Sequence, residues 1–282
     1  MLRGTSRAAA SFTAAVSLAA TAALAVVPTA AQAKTAAPVI TISGATGSAP
    51  LVALLATKYV QLNPGKVKFK IAQGGGEVGV QDVAASRVTI GDASRDPLPS
   101  DPAGLVFHPI ARDFFAFDTN PANPLPNLTT AQATAIWTGQ VRDWSQVAGS
   151  TITGPIDLIG RTAASSLPPL VSKIFLGGKT VSPLAALKPS DGLVEQSVAT
   201  DKNAIGYNSG WYASQKNVHA VPFNGVAPSA QTVKSGQFPG QRTYYEVTKG
   251  AATGASAKFI AWIGKSKAAK KIINSHWVPL GG

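Results

Sequence analysis

Four runs of the sequence carry residue types that could hold an anion. They are Ser43-Gly44-Ala45-Thr46-Gly47-Ser48-Ala49-Pro50, Gln73-Gly74-Gly75-Gly76, Asp92-Ala93-Ser94-Arg95-Asp96-Pro97 and Gly160-Arg161-Thr162-Ala163-Ala164-Ser165-Ser166. Glycine amides and Ser/Thr hydroxyls offer donors with little bulk, and a guanidinium presents a planar fork that matches an oxyanion. The candidate ligands are therefore Thr46, Gly47 and Ser48, then Gly75 and Gly76, then Ser94, Arg95 and Asp96, then Arg161, Ser165 and Ser166. A micromolar site needs about 8 kcal/mol, whereas one exposed helix end supplies roughly 0.3–1 kcal/mol. The loops must converge. The expectation is that the amides of residues 46–48 and 75–76 face the Arg161 guanidinium across one water-excluding crevice.

Rival chemistry fails on spacing. Gly177-Gly178-Lys179-Thr180 imitates the end of a phosphate-binding loop, but Lys173 stands where its first glycine belongs. His108, His219 and His276 are far apart and lack metal-ligand spacing. No G-x-S-x-G elbow occurs. Asn127-Leu128-Thr129 fits a glycosylation acceptor and is read as a coincidence at a helix start. No catalytic residue, metal or cofactor is expected.

Each loop needs a strand and a helix to aim it. Residues 39–42 read as a buried strand, and Leu51, Leu54, Leu55, Tyr59 and Leu62 recur at helical spacing over residues 49–62 until Asn63-Pro64-Gly65 stops them. Residues 67–71 alternate as a strand with one wet face, residues 79–85 form a short helix and residues 88–90 another strand. This βαβαβ alternation predicts a mostly parallel sheet flanked by helices. Phe114-Phe115-Ala116-Phe117 is the strand that leaves the first lobe. A helix from Thr129 to Trp137, a strand over 156–159, a helix over 169–175 and a strand over 204–207 build a second lobe. Residues 218–223 and 242–248 look extended, and one final helix covers 255–273. The predicted division is residues 34–117 plus 224–282 for lobe 1 and 118–223 for lobe 2.

The 282 residues begin with a leader: Arg3 and Arg7, an apolar stretch over 14–27, then Ala31-Gln32-Ala33, so residues 1–33 are read as a cleaved signal peptide. The net charge of +12 loses Arg3 and Arg7 with the leader, leaving +10. With no cysteine, the exported product has neither disulfides nor a site for an N-terminal lipid, and is expected to be soluble, periplasmic or secreted, and monomeric. Excess positive charge favours anionic partners, but nucleic acid is not expected, because the Lys and Arg are scattered and lack interleaved aromatics. Only Lys265, Lys267, Lys270 and Lys271 cluster, opposite Phe259, Ile260, Ile263 and Ile272, and they read as a solvated helix face.

With these loops in place, the chain resembles the type II substrate-binding-protein family, and within it the phosphate-binding proteins of ABC-type importers. The resemblance rests on Gly44-Ala45-Thr46, the glycine-rich loop ending Gly79-Val80, and Ile90-Gly91-Asp92-Ala93-Ser94-Arg95. It continues through Leu128-Thr129-Thr130-Ala131-Gln132, Ile136-Trp137-Thr138-Gly139, Asp143-Trp144-Ser145-Gln146-Val147, Ile159-Gly160-Arg161 and Ala204-Ile205-Gly206-Tyr207. It implies a two-lobed α/β fold with mixed sheets, a ligand cleft between the lobes and hinge closure over an anion. Thr46 and Gly47 would then donate from lobe 1, Gly76 would stand where the family often has serine, and Arg161 would be the bidentate partner. Two departures stand out. The family's G-S-G-T reads Ala164-Ser165-Ser166-Leu167, and Arg95 occupies the position of an aspartate that accepts a hydrogen bond from protonated phosphate. Either Asp96 takes that role by a one-residue shift, or the site has changed preference towards a fully ionised oxyanion such as sulfate, or tight binding is lost. The function implied is an exported solute-binding protein that captures inorganic phosphate or a similar oxyanion for an ABC permease. The alternatives are a secreted interaction protein that keeps the fold, and a phosphoester hydrolase, for which no metal ligand or activated nucleophile is present.

Overall fold

The computed structural model describes residues 36–281; the predicted leader lies outside them. Strand β1 (Val39–Gly44) runs into helix α1 (Ala49–Leu62), which Pro50 helps to start and Asn63 ends. Next come β2 (Lys68–Gln73), α2 (Gly76–Ala84) and β3 (Ile90–Ala93). Helix α2 starts three residues earlier than its apolar spacing suggested, because the glycines themselves form its first turn. A long strand, β4 (Leu105–Thr119), absorbs the expected Phe114–Phe117 run.

The capping box of Thr129 and Gln132 then opens α3 (Thr130–Trp137). Strand β5 (Asp157–Arg161), α4 (Leu167–Phe175), β6 (Ala186–Lys188), α5 (Asp191–Thr200), β7 (Ala204–Ser209) and α6 (Gly210–Ala213) follow. The chain closes with β8 (His219–Ala220), α7 (Ala230–Lys234), β9 (Gln241–Lys249), α8 (Gly254–Lys265) and α9 (Lys267–His276). The single final helix expected over 255–273 is two. Ser266 adopts extended backbone and its Oγ accepts from the Ala268 amide at 3.1 Å, so a local cap overrides the apolar period.

Among the described residues the strands form one curled, mixed sheet in the order β2-β1-β3-β9-β4-β7-β5-β6, with β8 on β4. Strand β1 is parallel to β2 and β3, and β5 is parallel to β6 and β7. Strand β4 joins the two parts: Leu105 to Phe114 pair with β9, and Phe115 to Thr119 pair with β7. Each part has its own core. Ile40, Ile42, Leu51, Leu55, Tyr244, Phe259 and Ile273 pack in the first, and Phe117, Trp137, Trp144, Phe175, Tyr207 and Phe223 in the second. Val233 and Phe238, which follow residue 224, also pack in the second core.

Candidate functional site

The loops at the C-terminal ends of β1 and β5 meet because the sheet curls between them. Ala45 donates its amide to the Asp92 carbonyl at 2.9 Å, which fastens the β1–α1 turn to β3. Beside it, a Cβ on Gly47 would stand 2.0 Å from Ser209 Oγ and 2.6 Å from Arg242 Nη2, so no side chain fits there. Gly75 caps α2 with φ +101°, and a Cβ on it would stand 2.2 Å from the Ala164 carbonyl oxygen. Only glycine satisfies both the backbone and that contact. The Glu77 amide, in the first turn of α2, donates to the same carbonyl at 3.2 Å.

Arg161 ends β5, where its amide donates to Tyr207 Oη at 2.9 Å. Its guanidinium donates to the Lys188 and Pro189 carbonyls, each at 3.2 Å, and to Thr46 Oγ1 at 3.0 Å. The remaining nitrogen pairs with Asp191, the first residue of α5. Both side chains are almost completely removed from water, 1% and 2% exposed, so the pair works in a low dielectric. Burial would raise the Asp191 carboxyl, but Arg161 and then Arg242 outweigh it and hold it below the usual range.

A second arginine completes the cluster. Arg242, near the start of β9, lies over the Tyr244 ring at 5.1 Å and donates to Ser94 Oγ at 3.1 Å and to Ser209 Oγ. Ser209 in turn donates its amide (3.0 Å) and its hydroxyl to Asp191. Asp191 also accepts from Thr46 Oγ1 at 2.5 Å. Two buried guanidiniums are thus tied through hydroxyls to one carboxylate, while Arg242 Nε finds no partner among the described residues. The resulting crevice is lined by Ala45, Thr46, Gly47, Gly75, Gly76, Ser94, Arg161, Ser165, Asp191 and Arg242.

Seven of the eleven predicted ligands therefore line one crevice: Thr46, Gly47, Gly75, Gly76, Ser94, Arg161 and Ser165. The other four do not. Ser48 Oγ donates to both Asp92 oxygens at 2.7 Å. Arg95 turns away, its guanidinium held by Glu77 (2.7 and 2.8 Å) and Asp101 (2.6 and 2.9 Å). Asp96 accepts from Tyr245 Oη at 2.7 Å and is exposed, so a one-residue shift does not bring it in. Ser166 Oγ donates to Glu77 at 2.9 Å, beside the crevice.

Two charged lining residues escaped the sequence reading. Asp191 follows Ser190, whose side chain caps α5 by accepting from the Leu193 amide at 3.2 Å, and the Ser-Asp-Gly start of that helix was the available signal. Arg242 sits in a run read only as extended. Nothing local marks it, because its partners Ser94 and Ser209 are 148 and 33 residues away.

Comparison with known proteins identifies the family and the fold. A model of the PBP superfamily domain matches residues 28–266. The phosphate-binding protein PstS of Bacillus subtilis is 27% identical over 252 residues, covering 86% of this chain and 80% of that protein. A solved structure from Clostridium perfringens, described as a phosphate ABC transporter substrate-binding protein with bound phosphate, is 28% identical. It has a TM-score of 0.80 over 86% of this chain and 99% of that one. An ABC-type phosphate transport receptor from Vibrio cholerae is 27% identical, with a TM-score of 0.68 over 86% of this chain and all of that one (100%).

Proposed function

The chain belongs to the PBP superfamily, and from that premise we propose that it is an exported solute-binding protein that captures inorganic phosphate, or a closely related oxyanion, for an ABC-type importer. The carrying observation is the pair of buried guanidiniums, Arg161 and Arg242, that share one crevice with glycine-rich turns and a single carboxylate. Two guanidiniums and one carboxylate line the crevice, so a captured oxyanion meets more cationic than anionic groups there. Residues 37–114 with 241–281 form one lobe and 115–240 the other, and closure bends β4 and β9 where they pass between the cores. No bond is made or broken. The Thr46 and Ser94 hydroxyls of the crevice are engaged with Asp191, Arg161 and Arg242.

The same geometry sets the ligand choice. Asp191 already accepts from Thr46, Arg161 and Ser209. With Arg95 and Asp96 both directed elsewhere, the crevice has no carboxylate free to accept a proton from the ligand. Such a site discriminates weakly between a singly protonated oxyanion and a fully ionised one. Isothermal titration of ligand-stripped protein tests this. The expected outcome is binding of both phosphate and sulfate, within about tenfold of each other, and loss of both in Arg242→Gln. Absence of heat with either anion overturns the reading.

A further inference from the structure

The described chain distributes its acids unevenly. No aspartate or glutamate occurs in residues 36–76 or 247–281, yet these stretches contribute Lys58, Lys66, Lys258, Lys265, Lys267, Lys270 and Lys271. The fold brings the two stretches together. Helix α1 packs on α9, and α8 on α9 and β1. Tyr59 meets Phe259 edge-on and Trp262 at a tilt where α1 meets α8, with ring centroids 5.2 Å apart for either partner. Lys66 and Lys258, 192 positions apart in the chain, border the same surface groove beside Tyr59. Lys258 and Lys265 lie two turns apart on one side of α8, and Lys267, Lys270 and Lys271 share one side of α9. Six of the seven are exposed, with Lys58 half-buried. The four ion pairs among the described residues all lie elsewhere, so no carboxylate neutralises this layer.

We propose that the α1–α8–α9 layer is an interaction surface that holds the protein against a bilayer of anionic lipid. Charge complementarity supplies the attraction: each lysine near such a surface contributes roughly fivefold to partitioning, the equivalent of about 1 kcal/mol. The apolar side chains of the layer select a bilayer over a soluble polyanion. Leu54 and Leu62 on α1 are 42% and 51% exposed, and a lipid interface accommodates them where a phosphodiester chain does not. The proposal is independent of what the crevice binds.

The test uses the chain from Lys34 onward, because residues 37–282 form one compact unit by themselves. Co-sedimentation is measured with vesicles of equal parts phosphatidylglycerol and phosphatidylcholine, and with phosphatidylcholine alone. The expected result is binding to the anionic vesicles that weakens as salt rises and falls on the order of a hundredfold in Lys267→Gln/Lys270→Gln/Lys271→Gln. A control with the same charge change on the other part of the chain, Lys173→Gln/Lys179→Gln/Lys216→Gln, is expected to keep most of it. Matching thermal melts for the two variants exclude misfolding. Equal losses in both variants, no anionic preference, or binding of soluble polyphosphate in place of vesicles would each overturn the proposal.

Discussion

Asp191 is the residue on which the crevice balances. It faces Arg161 directly and Arg242 through Ser209, and Thr46 from the opposite turn donates to it as well. Removing one partner of such a pair exposes the other to an uncompensated desolvation cost, typically about 3–5 kcal/mol. Asp191→Asn is therefore expected to lower unfolding stability by that amount in anion-free buffer, measured by urea denaturation. Because a bound oxyanion returns negative charge to the same place, millimolar phosphate is expected to restore a larger share of stability to the variant than it adds to the parent. Equal stabilisation of both would show that the anion does not reach these guanidiniums.

At the scale of elements, α2 does more than present glycine amides. Its Glu77 accepts from Arg95 on the β3 side and from Ser166 at the start of α4, while Asp101 grips the other side of Arg95. Arg95 is thus a strut that braces the helix at the crevice edge, not a ligand. Arg95→Met is expected to cost roughly 1–3 kcal/mol by leaving Glu77 and Asp101 unpaired. The ratio of phosphate to sulfate affinity should not move, as titration of the two anions would show; a changed ratio would return Arg95 to the binding site. The legibility of the sequence divides along the same line. Where a strand, a small-residue turn and a helix are consecutive, as around Thr46 and Gly76, local pattern announced both the elements and their place at the crevice. Side-chain direction was not legible: Ser48, Arg95 and Ser166 sit in the right loops but satisfy carboxylates at Asp92, Glu77 and Asp101. Nor could spacing reveal Arg242, whose role depends on a sheet pairing completed from the far end of the chain. Arg161 was visible because a glycine and a buried strand precede it.

For the whole molecule, buried carboxyls set the response to pH. Burial lifts Asp113 to about 6, Asp118 to about 7 and Asp92 to about 8. Glu246, directly across from Asp92 on β9 and from His108 on β4, is raised well above its ordinary value, by burial first and by the Asp92 charge second. In the unfolded chain a free aspartate titrates at about 3.9. Between roughly pH 4 and 8 the folded state therefore binds more protons than the unfolded one, so stability falls as pH rises through that window. Asp191, held low, acts oppositely and withdraws its contribution only in stronger acid. Melting temperature followed from pH 4 to 9 should peak in the acidic half, and Glu246→Gln should shallow the alkaline decline. A melting temperature that climbs towards pH 8 would contradict the burial of these groups.

The pairing of β4 with β9 carries one more consequence. Leu105 meets Lys249 and Phe114 meets Gln241, so the part of the sheet that holds β1 stays incomplete until residues 241–249 have been made. Contacts of such sequence separation close slowly. Until then β3 and the first part of β4 lack the strand that lies between them.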